Sequence, residues 1–331
     1  MRKKRSDIQK RKQIFFLLGF IVICVGVAGF LLWKNKEKQY SDSFSESSRE
    51  SVIRYNGKEY IYNDHLSNYL FLGIDTREPV ESYETQSDAG QADAIFLISH
   101  DRVTGQLQGL MIPRDTMTEI EIIGPDGKSR GMSEDHINIQ YAFGDGKAKS
   151  CELMRDAVSR LLYQIPIRQY CSMNMDGIPI MTDLIGGVEL EVPDDSLAAV
   201  NPEFQKGAIV TITEKNAEQF VRYRDTQKSQ SALVRMNRQK IFMEAYLKKL
   251  QEVGKNDISV VTRLMDGVEE YMVTNMGTDH FADLLEASMD GEISIETLPG
   301  EGVEGEYFDE YHVDDDQLYE LILHMFYLEK E

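Results

Sequence analysis

The sequence predicts an α/β domain in which a central mixed β-sheet carries helices on both faces, an α-β-α arrangement, anchored by one amino-terminal membrane helix. Three observations predict it. Apolar runs of strand length at 69–74, 94–98 and 107–112 end on charged residues or begin beside them, which is how a buried sheet delivers charge to its edge. Further along, helical periodicity alternates with short strands, the pattern of helices that cover a sheet. Near the start, residues 14–33 form twenty consecutive positions without a charge, enough at about 1.5 Å per residue to cross about 30 Å of hydrocarbon.

Taken in order, residues 1–13 hold seven Lys or Arg against the single acid Asp7. The positive-inside rule puts this basic tail in the cytoplasm and everything beyond the span outside, a single-pass protein of the cell membrane. The apolar run exceeds a secretory h-region and no A-x-A-like cleavage site follows, so it reads as a retained anchor. Residues 34–51 are rich in Ser and charge and read as a flexible stalk. Residues 52–64 place Asn56-Gly57 between two β-rich arms, a strong hairpin signal. The main domain then runs over 65–252, and 253–331 reads as a mainly helical extension packed on it.

Inside that domain, Thr104-Gly105 turns the second strand back towards the third, and Pro113 ends the third because it has no N–H to donate. Residues 119–131 read as a loop. Within it, Gly124-Pro-Asp-Gly-Lys-Ser129 has two residues between its glycines where a phosphate-binding Walker loop needs four, so it reads as a turn. Leu153, Met154, Ala157, Val158, Leu161 and Leu162 recur at helical spacing and predict an amphipathic helix over 151–163. Strands are expected at 170–175, 188–192 and 293–298, and helices at 177–184, 214–224 and 236–253, with 258–289 helical. Gly186-Gly187 breaks the first of those helices. Asp314, Asp315 and Asp316 open a last helix ending near residue 328, where acids cap the terminus and suit its dipole.

The net charge of −20 hides an asymmetry, because residues 1–38 hold ten of the 36 bases and only two of the 56 acids. The remainder carries 26 bases against 54 acids, a net of −28. Such a surface repels nucleic-acid phosphates, which excludes nucleic acid as a partner and makes any cationic site local. Of three cysteines, Cys24 lies in the apolar span; Cys151 and Cys171 could pair outside the cell but read better as buried thiols of a domain that builds its own core. No C-x-x-C, H-x-x-H or H-E-x-x-H spacing is present, which argues against a zinc enzyme.

Local cationic character does occur. The strand ending at Pro113 delivers Arg114 and Asp115 together, the run before it leads into Asp75 and Arg77, and Asp93 opens the strand between. Arg222 and Arg224 end one helix, while Arg235 and Arg238 begin the next. Arginine suits planar, bidentate recognition of phosphate, so Arg77, Arg114, Arg222, Arg224, Arg235 and Arg238 would form a pocket for a diphosphate. Asp75 and Asp93 beside it suit Mg²⁺, with Mn²⁺ the alternative, because Mg²⁺ favours one or two carboxylates plus phosphate oxygens.

These residues also carry a resemblance. Leu72-Gly-Ile-Asp75-Thr-Arg77, Ala92-Asp93, Ile112-Pro-Arg114-Asp115, Ile137-Asn138-x-x-Tyr141-Ala, Leu184-Ile-Gly-Gly-Val-Glu189, Val221-Arg222-Tyr-Arg224 and Arg235-x-x-Arg238-Gln239 follow the LytR-CpsA-Psr family in order and spacing. The resemblance implies a membrane-anchored, outward-facing phosphotransferase. Its donor would be an anionic glycopolymer, teichoic acid or capsular polysaccharide, on a polyprenyl diphosphate carrier, and its acceptor peptidoglycan. By the same resemblance Asp75 and Asp93 hold Mg²⁺, the arginines grip the diphosphate, and Asp115 steers or deprotonates the acceptor hydroxyl or else orients Arg114. Three positions depart from the family pattern: Gln91 stands where arginine is common, Ala232 where aspartate is usual and His136 where lysine is usual. The competing readings are a pyrophosphatase or phosphatase on the same lipid carrier, and a non-catalytic polyprenyl-diphosphate-binding regulatory ectodomain.

Overall fold

The computed structural model describes residues 52–77, 79–80, 89–289 and 293–330. The basic tail, the apolar run 14–33 and the stalk lie outside the described residues, and no described helix is long and apolar enough to cross a membrane.

β1 (Ile53–Tyr55) and β2 (Lys58–Tyr62) pair with Tyr55 opposite Lys58. Asn56 and Gly57 are left as a two-residue turn with both φ positive, 49° and 78°, the geometry that Asn-Gly supplies with least strain. β3 (Leu66–Ile74), β4 (Ala92–Asp101) and β5 (Leu107–Ile112) follow as antiparallel neighbours. β6 (Met117–Ile123) and β7 (Ser129–His136) form a separate ribbon, leading through a 3-10 helix (Ile137–Phe143) to α1 (Ala148–Leu161). β8 (Gln169–Asn174) lies parallel to β3, and α2 (Gly177–Leu184) precedes a second ribbon of β9 (Val188–Glu191) and β10 (Ile209–Ile212). Then come α3 (Ala217–Arg222), α4 (Ser231–Asn256), α5 (Val260–Val268), β11 (Met272–Thr274) and α6 (Thr278–Met289). β12 (Ser294–Thr297), a hairpin of β13 (Gly300–Glu304) and β14 (Asp309–Val313), α7 (Asp315–Phe326) and β15 (Tyr327–Glu329) complete the chain.

The central sheet has the order β11-β8-β3-β4-β5-β12 and is mixed, since β8–β3 and β5–β12 are parallel pairs and the rest antiparallel. Alternation along each strand divides its side chains between two cores. Leu70, Leu72, Ile95, Leu97, Leu110 and Ile112 pack on Met154 and Val158 of α1 and on Ile322 and Phe326 of α7. Tyr69, Phe96, Ile98, Leu107 and Met111 face the other way, towards Met236 and Met243 of α4 and Leu284 of α6. Helices therefore cover both faces, and strands apolar on both sides read in sequence as continuous apolar runs.

Several elements differ from the sequence reading. Residues 119–131 are not a loop: they belong to the β6–β7 ribbon, whose turn is confined to Gly124-Pro-Asp-Gly-Lys128. Only Ile120 and Ile123 of β6 are buried, and Glu119 and Glu121 on either side of Ile120 mask the strand. β10 and the β13–β14 hairpin were likewise not expected, and β11 interrupts the helical stretch after residue 258. At α7, Asp314 caps the helix, its Oδ1 accepting the Gln317 N–H at 3.0 Å. Cys151 and Cys171 are buried and free, and burial pushes both thiols up to about 12.

Candidate active site

β5 stops at Ile112 because Pro113 cannot extend the ladder, and the chain turns so that Arg114 and Asp115 stand at the strand end. The register that sets Ile95 opposite Ile112 brings Asp93 of β4 beside them. Arg114 spends all three guanidinium nitrogens there. Its Nε donates to Asp115 Oδ1 at 3.0 Å, its Nη1 to Asp93 Oδ1 and its Nη2 to Gln91 Oε1 at 3.2 Å. The other Asp93 oxygen accepts from Arg235 Nη1 at 2.7 Å, delivered by the first turns of α4. Arg235 is nearly buried, and its Nε finds no acceptor among the described residues. Burial pulls this guanidinium below its usual value, and the Asp93 carboxylate opposes that pull.

Asp75, just past β3, joins the group through Gln91. The Gln91 N–H donates to Asp75 Oδ1 at 2.6 Å, and the Asp75 N–H donates back to the Gln91 carbonyl at 3.1 Å. Burial pushes the Asp75 carboxyl above the ordinary aspartate range, against the Gln91 N–H, and the nearby Asp93 charge pushes the same way. Gln91 Oε1 accepts from Asn138 Nδ2 at 2.9 Å as well as from Arg114, so one amide oxygen fixes two donors.

A second group rims the first. Arg77 donates to Asp176 at 3.1 Å and to Glu218, and Glu218 also accepts from Arg222 at 3.3 Å. Arg224 is half-buried near Arg235 and makes no ion pair among the described residues. Arg238 stands apart from the expected diphosphate set: it is fully buried and donates to the carbonyls of Phe220, at 2.7 Å, and Tyr223. It braces the end of α3, which carries Arg222, and the start of the loop that carries Arg224. The structure thus brings Asp75, Asp93, Arg114, Asp115 and Arg235 together, with Arg77, Arg222 and Arg224 around them.

Sequence reasoning does not find the roles of Gln91, Asn138 and Glu218. Asn138 lies within a family motif, and Glu218 sits four residues before Arg222, a spacing that signals a helical ion pair. Nothing in the sequence gives Gln91 its role, because the amide acts through a tertiary interaction.

Against this charged cluster lies an apolar cavity of about 330 Å³ between the sheet and α2, α4, α5 and α6. Phe71, Met173, Phe242, Met265 and Leu284 are among its walls, and Asp93, Arg222 and Arg235 also line it.

The LytR_cpsA_psr family pattern matches residues 30–325 of the 331. The chain belongs to the LytR_cpsA_psr family. It is 31% identical over 235 residues to the polyisoprenyl-teichoic acid–peptidoglycan teichoic acid transferase TagU of Halalkalibacterium halodurans, covering 70% of this chain and 69% of that one. To the TagU of Bacillus licheniformis it is 27% identical over 329 residues, 95% of either chain. The crystal structure of B. subtilis TagV shares the fold at a TM-score of 0.59 and 19% identity, over 78% of this chain and 94% of TagV. In this LytR_cpsA_psr member the motif residues Asp75, Asp93, Arg114, Asp115, Asn138 and Arg235 meet in one site, with the apolar cavity as its neighbour.

Proposed function

We propose that this protein transfers an anionic glycopolymer from a polyprenyl diphosphate carrier to peptidoglycan, forming a phosphodiester. The observation that carries the reading is the junction of the Asp93–Arg114–Arg235 cluster with an apolar cavity: a diphosphate headgroup and an isoprenoid chain need those two surfaces side by side. The relatives' names, polyisoprenyl-teichoic acid–peptidoglycan teichoic acid transferase, support the same substrates.

The acceptor hydroxyl oxygen forms a bond to the sugar-side phosphorus, and the bond from that phosphorus to the bridging oxygen breaks. The bridging oxygen leaves with the lipid monophosphate. The hydroxyl proton passes to the Asp115 carboxylate and on to solvent. Phosphoryl transfer asks chiefly for positioning and charge neutralisation. Arg114 and Arg235 supply both at the diphosphate, with Arg77, Arg222 and Arg224 at its rim. The Arg235 Nε–H is a buried donor without an acceptor among the described residues, a group that a bound phosphate could satisfy.

The residues fit Mg²⁺. Two carboxylates stand near one another, the charge of Asp93 adding to burial in raising the Asp75 carboxyl. That donor set leaves positions for phosphate oxygens, as Mg²⁺ prefers. Asp75 and Asp93 would hold the ion, with Mn²⁺ the alternative, and bound there it would neutralise charge on the diphosphate. Residues 14–33 would anchor the protein with the domain outside the cell membrane.

The test uses the full chain in detergent with a radiolabelled lipid-diphosphate saccharide, peptidoglycan oligomers and Mg²⁺. Label entering peptidoglycan, and not with Arg114→Ala, is the expected result. Label released only as free sugar phosphate would replace transfer with hydrolysis. Lipid bound and left whole, with the donor proven on an active relative, would make this a binding ectodomain.

A further inference from the structure

We infer that the tip of the β13–β14 hairpin, Tyr307 and Phe308, is the docking platform for the sugar strand of the acceptor, an uncharged pyranose chain of the peptidoglycan type. The inference rests on the transferase reading above for its ligand. Tyr307 and Phe308 are 80% and 75% exposed, the most exposed large apolar side chains among the described residues. Solitary exposed hydrophobes need no explanation, but two adjacent aromatic rings on a rigid support form a surface for a ligand.

The support is rigid. Glu304 pairs with Asp309, the Gly305 N–H donates to the Phe308 carbonyl at 3.0 Å, and a Cβ on Gly305 would fall 2.4 Å from that oxygen, so glycine is what lets the tip close. The Asp309 carboxylate accepts from Ser229 Oγ at 2.8 Å and from the Gln230 N–H at 2.6 Å, immediately before the helix that delivers Arg235. On its other flank the Tyr311 N–H donates to the Asp115 carbonyl at 2.8 Å. The Phe308 ring stands edge-on to His136 at 6.4 Å, and His136 Nε2 bonds the Asp309 carbonyl at 2.9 Å. The tip is thus tied to both chain segments that build the phosphate site. A platform already ordered loses little freedom on binding.

The hairpin is rooted away from the cavity, and its tip is held by the residues that lead into α4. Tyr311 packs in the core beneath α1 and α7, on the opposite face from the apolar cavity. The attacking and leaving oxygens of phosphoryl transfer lie roughly in line. With the leaving lipid phosphate on the cavity side, the acceptor hydroxyl enters from the hairpin side. Charge selects the occupant. Residues 300–313 carry Glu301, Glu304, Glu306, Asp309 and Glu310 and no Lys or Arg, which repels an anionic glycopolymer and an anionic membrane surface alike. An uncharged sugar strand meets no such barrier, and its pyranose rings offer C–H faces that stack on aromatic rings.

The test compares the full chain with the double variant Tyr307→Ala, Phe308→Ala, two substitutions at solvent-facing positions. The acceptor KM should rise about tenfold, with kcat and the donor KM within about twofold of the parent. Without donor, saturation-transfer NMR should show soluble peptidoglycan oligosaccharides binding to the parent and to Tyr307→Trp, and no such binding to the double variant. An unchanged acceptor KM together with undiminished sugar binding would overturn the inference. So would weaker vesicle association in the variant with sugar binding intact, which would assign the rings to the membrane. The two readings fail separately: transfer by the parent with an indifferent variant removes only the platform. A parent that binds the sugar through these rings yet merely hydrolyses the donor removes only the transferase.

Discussion

Gln91 carries more of the site than any charged residue does alone. Its backbone N–H holds Asp75 and its side-chain oxygen holds both Arg114 and Asn138, so the strand ends of β3 and β5 are coupled through one residue. An arginine at this position, as the family pattern has, would set a cation against Arg114, and the glutamine supplies an acceptor instead. Gln91→Ala should therefore lower kcat about tenfold and change the donor KM little, because it loosens a group needed most in the transition state. Steady-state kinetics at saturating donor measure it, and an unchanged kcat would remove the positioning role. Glu218 makes the converse case. It holds Arg77 and Arg222, both about half exposed, at 48% and 51%, in ion pairs that screening weakens. Glu218→Gln should free Arg222 and leave Arg77 on Asp176 alone, and so tighten binding of the lipid diphosphate several-fold, most strongly at low salt, as donor titrations at two ionic strengths would read. The cluster of Asp75, Asp93, Arg114, Asp115 and Arg235 was legible because each residue sits at the end of a strand or the start of a helix that periodicity reveals. Arg238 was not separable from its neighbours, since a count of arginines does not say which ones are spent on buried carbonyls.

At the scale of elements, legibility followed burial. β3, β4 and β5 are buried on both faces and stood out as apolar runs, whereas β6 and β7 expose so many acids and serines that the ribbon resembled a loop. The β13–β14 hairpin failed for the same reason, with glycine and glutamate along its first strand. What no local pattern could report is where the last helix goes. α7 comes from the carboxy terminus, yet Leu318, Ile322 and Phe326 pack beneath the strands that deliver the site, and β15 closes on the first hairpin. Phe326 is fully buried, so Phe326→Ala should cost about 3–5 kcal/mol of stability, read from urea unfolding. Its side chain is purely apolar packing, and the folded fraction should turn over with the parent's kcat. A variant that unfolds normally but loses kcat would show that α7 does more than support the sheet.

For the molecule as a whole, the two faces of the sheet divide the work: an apolar cavity on one, a closed core under the other, and the phosphate cluster at the strand ends. That division depends on water staying out of both faces. One thiol reports on each. Cys151 of α1 sits in the closed core under the sheet, and Cys171 of β8 points to the cavity side; both are buried and free of disulfide. In the unfolded chain a thiol ionises near pH 8.5, about its ordinary value. In the folded protein burial holds both protons until about 12. Between those values the unfolded state binds fewer protons than the folded one, so stability falls as pH rises, by about 1.4 kcal/mol per pH unit for each thiol. Below about pH 7 neither thiol contributes to the slope. The urea midpoint of the parent should therefore drop steeply from pH 9 to pH 10, before tyrosine ionisation in the unfolded chain takes over. Cys151→Ala with Cys171→Ala should be less stable at pH 7, through the space left in the core, and should lose most of that slope, keeping only what the raised Tyr141 and Tyr246 begin to add towards pH 10. The single variants separate the faces, each removing about half of the slope. If Cys151→Ala alone leaves the slope untouched, water reaches that thiol, and the face opposite the cavity is not the closed core on which Arg114 and Asp115 are mounted.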